Sequence, residues 1–240
     1  MRVMACLGVV LGAGACLPIV VPPPARPLSD ECVRLYLEND LDQAEVACDH
    51  ALEYQPKFWD ALHAKGLIHL KRGDVAGAKE LFIQALRANQ DMAVSQNMLG
   101  YIALEQGDAS TARGHFLAAL RIDPELLAAR TNLALAFLRL KDLDSAEKAY
   151  RHLIVSNPAL SEAYQGIGAI MLLRDRCEDA VGWFAKAVAL EPNYVAAWKG
   201  LGSAYATLGR RDEAKDAFDS CLIAKPGEPE CTRAMRLLTQ

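Results

Sequence analysis

Seven cysteines are the side chains best able to do covalent chemistry: Cys6, Cys16, Cys32, Cys48, Cys177, Cys221 and Cys231. Close pairs such as Cys32/Cys48 and Cys221/Cys231 suit disulfides if the chain is exported to an oxidising compartment. The alternative is that they pack as small apolar side chains. No short Cys-x-x-Cys occurs, and His50, His63, His69, His115 and His152 are scattered, so no metal site is expected. There is no glycine-rich phosphate loop, no His-Glu-x-x-His and no nucleophile elbow. The sequence therefore predicts no catalytic residue, no cofactor and no small-molecule substrate. A net charge of −4 with Lys and Arg dispersed gives no basic face to displace counterions, which argues against nucleic acid as a partner.

The elements that must position these residues repeat. From Ala128 to Pro158 two amphipathic helical patterns flank a polar turn at Lys141 to Asp144, and a proline closes the unit. The unit recurs every 34 residues: Pro56, Pro124, Pro158, Pro192 and Pro226 share one phase, broken only by Gln90. Ala44, Ala78, Ala112, Ala146, Ala180 and Ala214 share another, followed four residues on by Cys48, Phe82, Phe116, Tyr150, Phe184 and Phe218. This spacing resembles the tetratricopeptide (TPR) repeat. The resemblance implies an all-α, right-handed superhelical solenoid of six helix-turn-helix repeats over 28–227, closed by a capping helix at 228–240. First helices of repeats two to six are expected from about Trp59, Ala93, Leu127, Ser161 and Val195. Repeat one is the least regular, with a first helix expected over Ser29 to Glu38. Gly73, Gly107 and Gly209 read as helix C-caps.

In this frame Cys32 and Cys48 face each other across repeat one, where a small residue and an aromatic normally meet. Cys221 and Cys231 bracket the loop before the capping helix. Cys177 is left over as a free thiol.

The N-terminus carries Arg2, an apolar run from Val3 to Ala15, then Cys16. That run is short for a membrane span and reads as a signal peptide over 1–15. Ala13-Gly14-Ala15-Cys16 resembles a bacterial lipobox, with Ala13 where the motif usually has leucine. It implies lipidation at Cys16, with fatty acyl groups such as palmitate. The alternative is ordinary cleavage after Ala15 and a soluble periplasmic protein. Residues 16–27, with Pro18, Pro22, Pro23, Pro24 and Pro27, read as a stiff tether. Leu17 after the cysteine resembles the sorting signal for the outer membrane.

Stacked repeats curve so that their first helices line a concave face. In phase, the inward positions are His63, Leu67, Leu70 and Lys71; Asn97, Tyr101, Leu104 and Glu105; Thr131, Leu135, Leu138 and Arg139; then Gln165 and Lys199. Asn97 and Asn132 are candidates to hydrogen-bond a ligand backbone. Leucines mixed with amides suit an amphipathic helix or an extended segment. The alternative is that the leucines pack within the superhelix.

Signal peptide, lipobox-like cysteine, proline tether and six repeats together resemble the type IV pilus biogenesis lipoproteins of the PilF/PilW/Tgl kind. These pilotins act on the inner leaflet of the outer membrane, where they help the secretin PilQ insert and multimerise. The resemblance implies a non-enzymatic scaffold with a secretin subunit as partner, supporting twitching or social gliding motility. The other reading is an adaptor lipoprotein that docks cell-wall hydrolases or proteases.

Overall fold

The computed structural model describes residues 25–239, and all of its regular structure is helical. Six helix pairs follow in order: α1 (Ala25–Leu37) with α2 (Leu41–Tyr54), α3 (Trp59–Lys71) with α4 (Val75–Ala88), and α5 (Ala93–Glu105) with α6 (Ala109–Ile122). Then come α7 (Leu127–Arg139) with α8 (Leu143–Ser156), α9 (Ser161–Leu173) with α10 (Cys177–Leu190), and α11 (Val195–Thr207) with α12 (Arg211–Ala224). A last helix, α13 (Pro229–Thr239), packs on α12. The leader, Cys16 and most of the tether lie outside the described residues.

Three boundaries differ from expectation. Helix α1 starts at Ala25, so the last three tether residues are its first turn, and Ser29 is buried inside the helix rather than capping it. Pro27 is tolerated there because an N–H in the first turn has no intrahelical acceptor. Helix α8 starts at Leu143, so the turn is only Leu140 to Asp142. Helix α13 starts one residue later than expected, at Pro229.

Each hairpin is written locally in the same way. Asp40, Asp74, Asp108 and Asp142 cap α2, α4, α6 and α8, each carboxylate accepting from the backbone N–H three residues on. The last two repeats have Arg176 and Arg210 in this place, with no side-chain cap. The residue before each cap is left-handed: Asn39, Gly73, Gly107, Lys141, Asp175 and Gly209 all have positive φ. Lys141, at φ 59°, carries a Cβ into a region that costs L-residues free energy. Lys141→Gly is therefore expected to stabilise the chain by about 1 kcal/mol, read as a higher urea midpoint at unchanged slope.

Between repeats, the fourth residue of a first helix ties back to the preceding turn. Arg130 Nε, Tyr164 Oη and Trp198 Nε1 each donate to a proline carbonyl, of Pro124, Pro158 and Pro192, at 2.7, 3.0 and 2.7 Å. Two ion clamps three repeats apart add to this. Arg72 reaches Asp42 (2.5 Å) and Glu45, and Arg174 reaches Asp144 (2.6 Å) and Glu147, in each case joining the second helix of one repeat to the next repeat. The guanidinium hydrogen bonds hold Glu45 and Glu147 below the usual carboxylate range.

Disulfides close both ends. Cys32–Cys48 joins α1 to α2, and Cys221–Cys231 joins α12 to α13. Where Phe82 or Phe116 fills other repeats, the small core of repeat one holds this covalent link. Cys177 is a buried free thiol at the start of α10.

Candidate protein-docking groove

Helices α1, α3, α5, α7, α9 and α11 form the inner layer: α1 touches α3, α5 touches α7, α7 touches α9, and α9 touches α11, while α3 and α5 meet less closely. The even helices do not pack on one another to that extent. Positions recurring every 34 residues therefore make rows across the inner face. One row runs Val33, Leu67, Tyr101, Leu135 and Ala169, partly or fully open to solvent, and ends at the exposed Ser203. Another carries Lys71, Glu105 and Arg139, all exposed.

At the N-terminal half the rows open into a pocket of about 670 Å³, lined by Tyr36, Leu67, Leu70, Lys71, Val75, Met98, Tyr101, Ile102, Glu105 and Gln106. The Lys71 ammonium sits over the Tyr36 ring, 5.0 Å from its centroid. Of the predicted groove residues, Leu67, Leu70, Lys71, Tyr101 and Glu105 meet here. Tyr36 and Val33 were hidden by the irregularity of repeat one, although each lies 34 residues before a groove leucine. Val75 opens α4, and Met98 and Ile102 face the core rather than the inner row. Val75 and Ile102 stand in 34-residue apolar rows with Leu41 and Leu143 and with Ile68 and Ile170, rows that read as core rather than groove.

Several predicted contacts are used internally instead. Leu104 is buried beside Phe116, so it packs the fold. Asn97 is buried too, and its Oδ1 accepts from Asn132 Nδ2 at 3.0 Å, so these two amides are tied to each other across adjacent repeats. His63 is mostly enclosed, its ring 5.3 Å from that of Phe82 and its Nδ1 2.9 Å from Ser95 Oγ. Burial lowers the His63 pKa to about 4, which keeps the imidazole neutral near pH 7. Lys199 is held by the start of the capping helix, at 3.5 Å from Glu228 and 2.9 Å from Glu230. Thr131 Oγ1 donates to its own helix at Leu127 O. Leu135 and Leu138 are half-buried against the core, and Gln165 is half-buried on α9. Arg139 projects freely.

A hydrophobic floor with charged margins suits adhesion to an apolar partner surface. Among the described residues no group of His, Cys, Asp and Glu is placed to hold a metal, and no helix is long and apolar enough to cross a membrane.

The tetratricopeptide repeat sequence profile matches residues 34–93, 63–126, 97–161 and 172–229, more than half of the chain. The chain belongs to the tetratricopeptide repeat family. No curated protein sequence matches it. Its fold is similar to that of a chain in the APC/C hetero-tetramer Cut9–Hcn1, with TM-score 0.79 and 14% identity over 92% of this chain. This chain spans less than half of that one, 44%. It is also similar along nearly the whole of two shorter proteins. PilW, a widely conserved type IV pilus biogenesis factor, gives TM-score 0.77 and 19% identity, covering 88% of this chain and 98% of PilW. Pseudomonas aeruginosa PilF gives 0.74 and 18%, covering 89% and 97%. As a TPR solenoid with an open inner face, the chain is a protein-binding scaffold.

Proposed function

We propose that this TPR protein is a pilotin-type scaffold of type IV pilus assembly. It binds a secretin subunit in its inner groove and carries it to the outer membrane, anchored by acyl groups on Cys16 on the periplasmic face. The observation that carries this reading is length. The similarity to PilW and PilF covers 88–89% of this chain and nearly all of theirs, so the helical arrays are of similar length, whereas the match to the chain of the Cut9–Hcn1 complex takes in only part of a longer one. The apolar leader ending at Cys16 and the two disulfides fit an exported, membrane-tethered protein. Groove binding favours the assembly-competent state of the subunit through differential affinity, without any bond being broken.

The test is a deletion strain complemented in turn by wild type, Cys16→Ser and Tyr101→Asp. Heat-stable secretin multimers should disappear in the deletion while monomer persists, and wild type should restore them. Cys16→Ser should leave the membrane fraction. Tyr101→Asp should stay in it, yet lose about ten-fold in secretin capture, because an exposed apolar anchor becomes a charge. Intact multimers with altered wall hydrolysis would point instead to the adaptor reading.

A further inference from the structure

We propose that the groove takes an amphipathic α-helix of its partner whose flank carries an acid, a base and an acid at seven-residue spacing, matching Lys71, Glu105 and Arg139. The inference rests on the inner face being a docking groove and specifies what docks there.

Two observations carry it. First, charge is left over in a pattern. Arg72, Arg174, Arg130, Lys65, Lys199 and Arg210 all form ion pairs within the chain. Lys71, Glu105 and Arg139 form no ion pair among the described residues, Lys71 standing over the Tyr36 ring instead, and they share one exposed row on three successive inner helices. Alternating plus, minus, plus beside the apolar row of Leu67, Tyr101 and Leu135 is a complementary half without its other half.

Second, the polar side chains beneath the floor are paired within the chain, His63 with Ser95 and Asn97 with Asn132, and Thr131 bonds its own helix, which leaves Gln106, Gln165 and Ser203 as the neutral polar side chains on this face. An extended peptide brings backbone N–H and C=O groups that must find partners, and this floor offers few. A helix arrives with its backbone bonds made and presents only side chains.

The spacing agrees. Packed helices lie about 8–10 Å apart, and seven residues of α-helix advance about 10.5 Å, so seven-residue spacing approximates the step from α5 to α7, which pack together, while α3 and α5 meet less closely. The charge row reads the same in both directions, so the match does not depend on which way the partner helix runs.

The test uses the full chain and two labelled synthetic helical peptides of roughly 21 residues, long enough to span three inner helices. Both carry leucine at seven-residue spacing. One has an Asp, Lys, Asp flank and the other Lys, Asp, Lys. Fluorescence anisotropy should give about ten-fold tighter binding of the first, as three exposed pairs in register add modest individual terms. The gap should close in about 0.5 M NaCl. The triple variant Lys71→Glu, Glu105→Lys, Arg139→Glu should prefer the second peptide. Equal binding of both, with both lost in Tyr101→Asp, would overturn the charge register and leave the groove standing. Binding of neither would overturn the helix itself, while secretin capture tests the groove separately.

Discussion

Phe184→Ala lowers the unfolding free energy by about 4 kcal/mol, the largest loss expected from any single core truncation in this chain. Phe184 is 1% exposed and sits in the most extended core cluster, which spans α7 to α12. Its ring is gripped from two repeats. A Cβ on Gly168 of its own repeat would lie 2.8 Å from Cε1, and one on Gly200 of the next repeat 2.3 Å. Phe82, Phe116 and Phe218 have such a glycine contact on one side only. Removing the Phe184 ring therefore empties an intra-repeat and an inter-repeat contact together. Because repeats touch only their neighbours, the damage should stay local. Hydrogen exchange should rise across α9 to α11, while the disulfide-closed ends keep their protection. Urea unfolding gives the free energy, and a loss below about 1 kcal/mol would mean that the neighbouring glycines do not hold the ring in place. Gly200→Ala should also destabilise, by about 1–3 kcal/mol, since a buried ring wedged on both faces has nowhere to move.

Acidification is the second large effect, and His63 dominates its first stage. The folded pKa of about 4 lies below the unfolded value near 6.5, so the unfolded chain binds the proton more readily. Stability from the neutral ring is complete above pH 6.5 and is lost as pH falls toward 4. Between pH 7.5 and 5 the wild type should lose about 2 kcal/mol through this group. Burial also lowers His115, with the charge of Lys79 adding to it, so it acts with the same sign and leaves a residual slope. The carboxylates of Asp74, Asp108, Asp142, Glu45 and Glu147 are held low by hydrogen bonds and arginines. They give up their stabilisation only at lower pH, and the two stages separate. Urea midpoints from pH 7.5 to 5 for wild type and His63→Gln check this. The variant should lose most of the slope, and an unchanged slope would place the titrating group elsewhere.

Much of the fold was legible because TPR helices are specified by residues close in sequence. An aspartate three residues before a first-turn N–H, a left-handed residue before it, and an aromatic opposite a glycine recur in phase, so period alone located the starts of α3, α5, α7, α9 and α11. Repeat one is less legible. Its aromatic is replaced by Cys48 and its first helix has no glycine, so Ala25 to Pro27 looked like tether until packing of Ala25 beside Ala51, Phe58 and Ala61 made it helix.

The groove was legible as a set of rows and not as a set of contacts. Phase identifies which side chains sit on first helices facing inward, and Leu67, Lys71 and Tyr101 line the pocket there while Arg139 is exposed. It does not say whether an inward side chain is reached first by a partner or by a neighbour. Asn97 met Asn132, Leu104 met the core near Phe116, and Lys199 met Glu228, just before the capping helix, and Glu230 within it. The sequence alone determined the repeat, its number and the side on which each helix lies, since these follow from hydrogen bonds and caps spanning a few residues. Only the tertiary structure decided which inner residues remain free to bind. That depends on how closely successive repeats stack, through contacts between residues more than thirty positions apart.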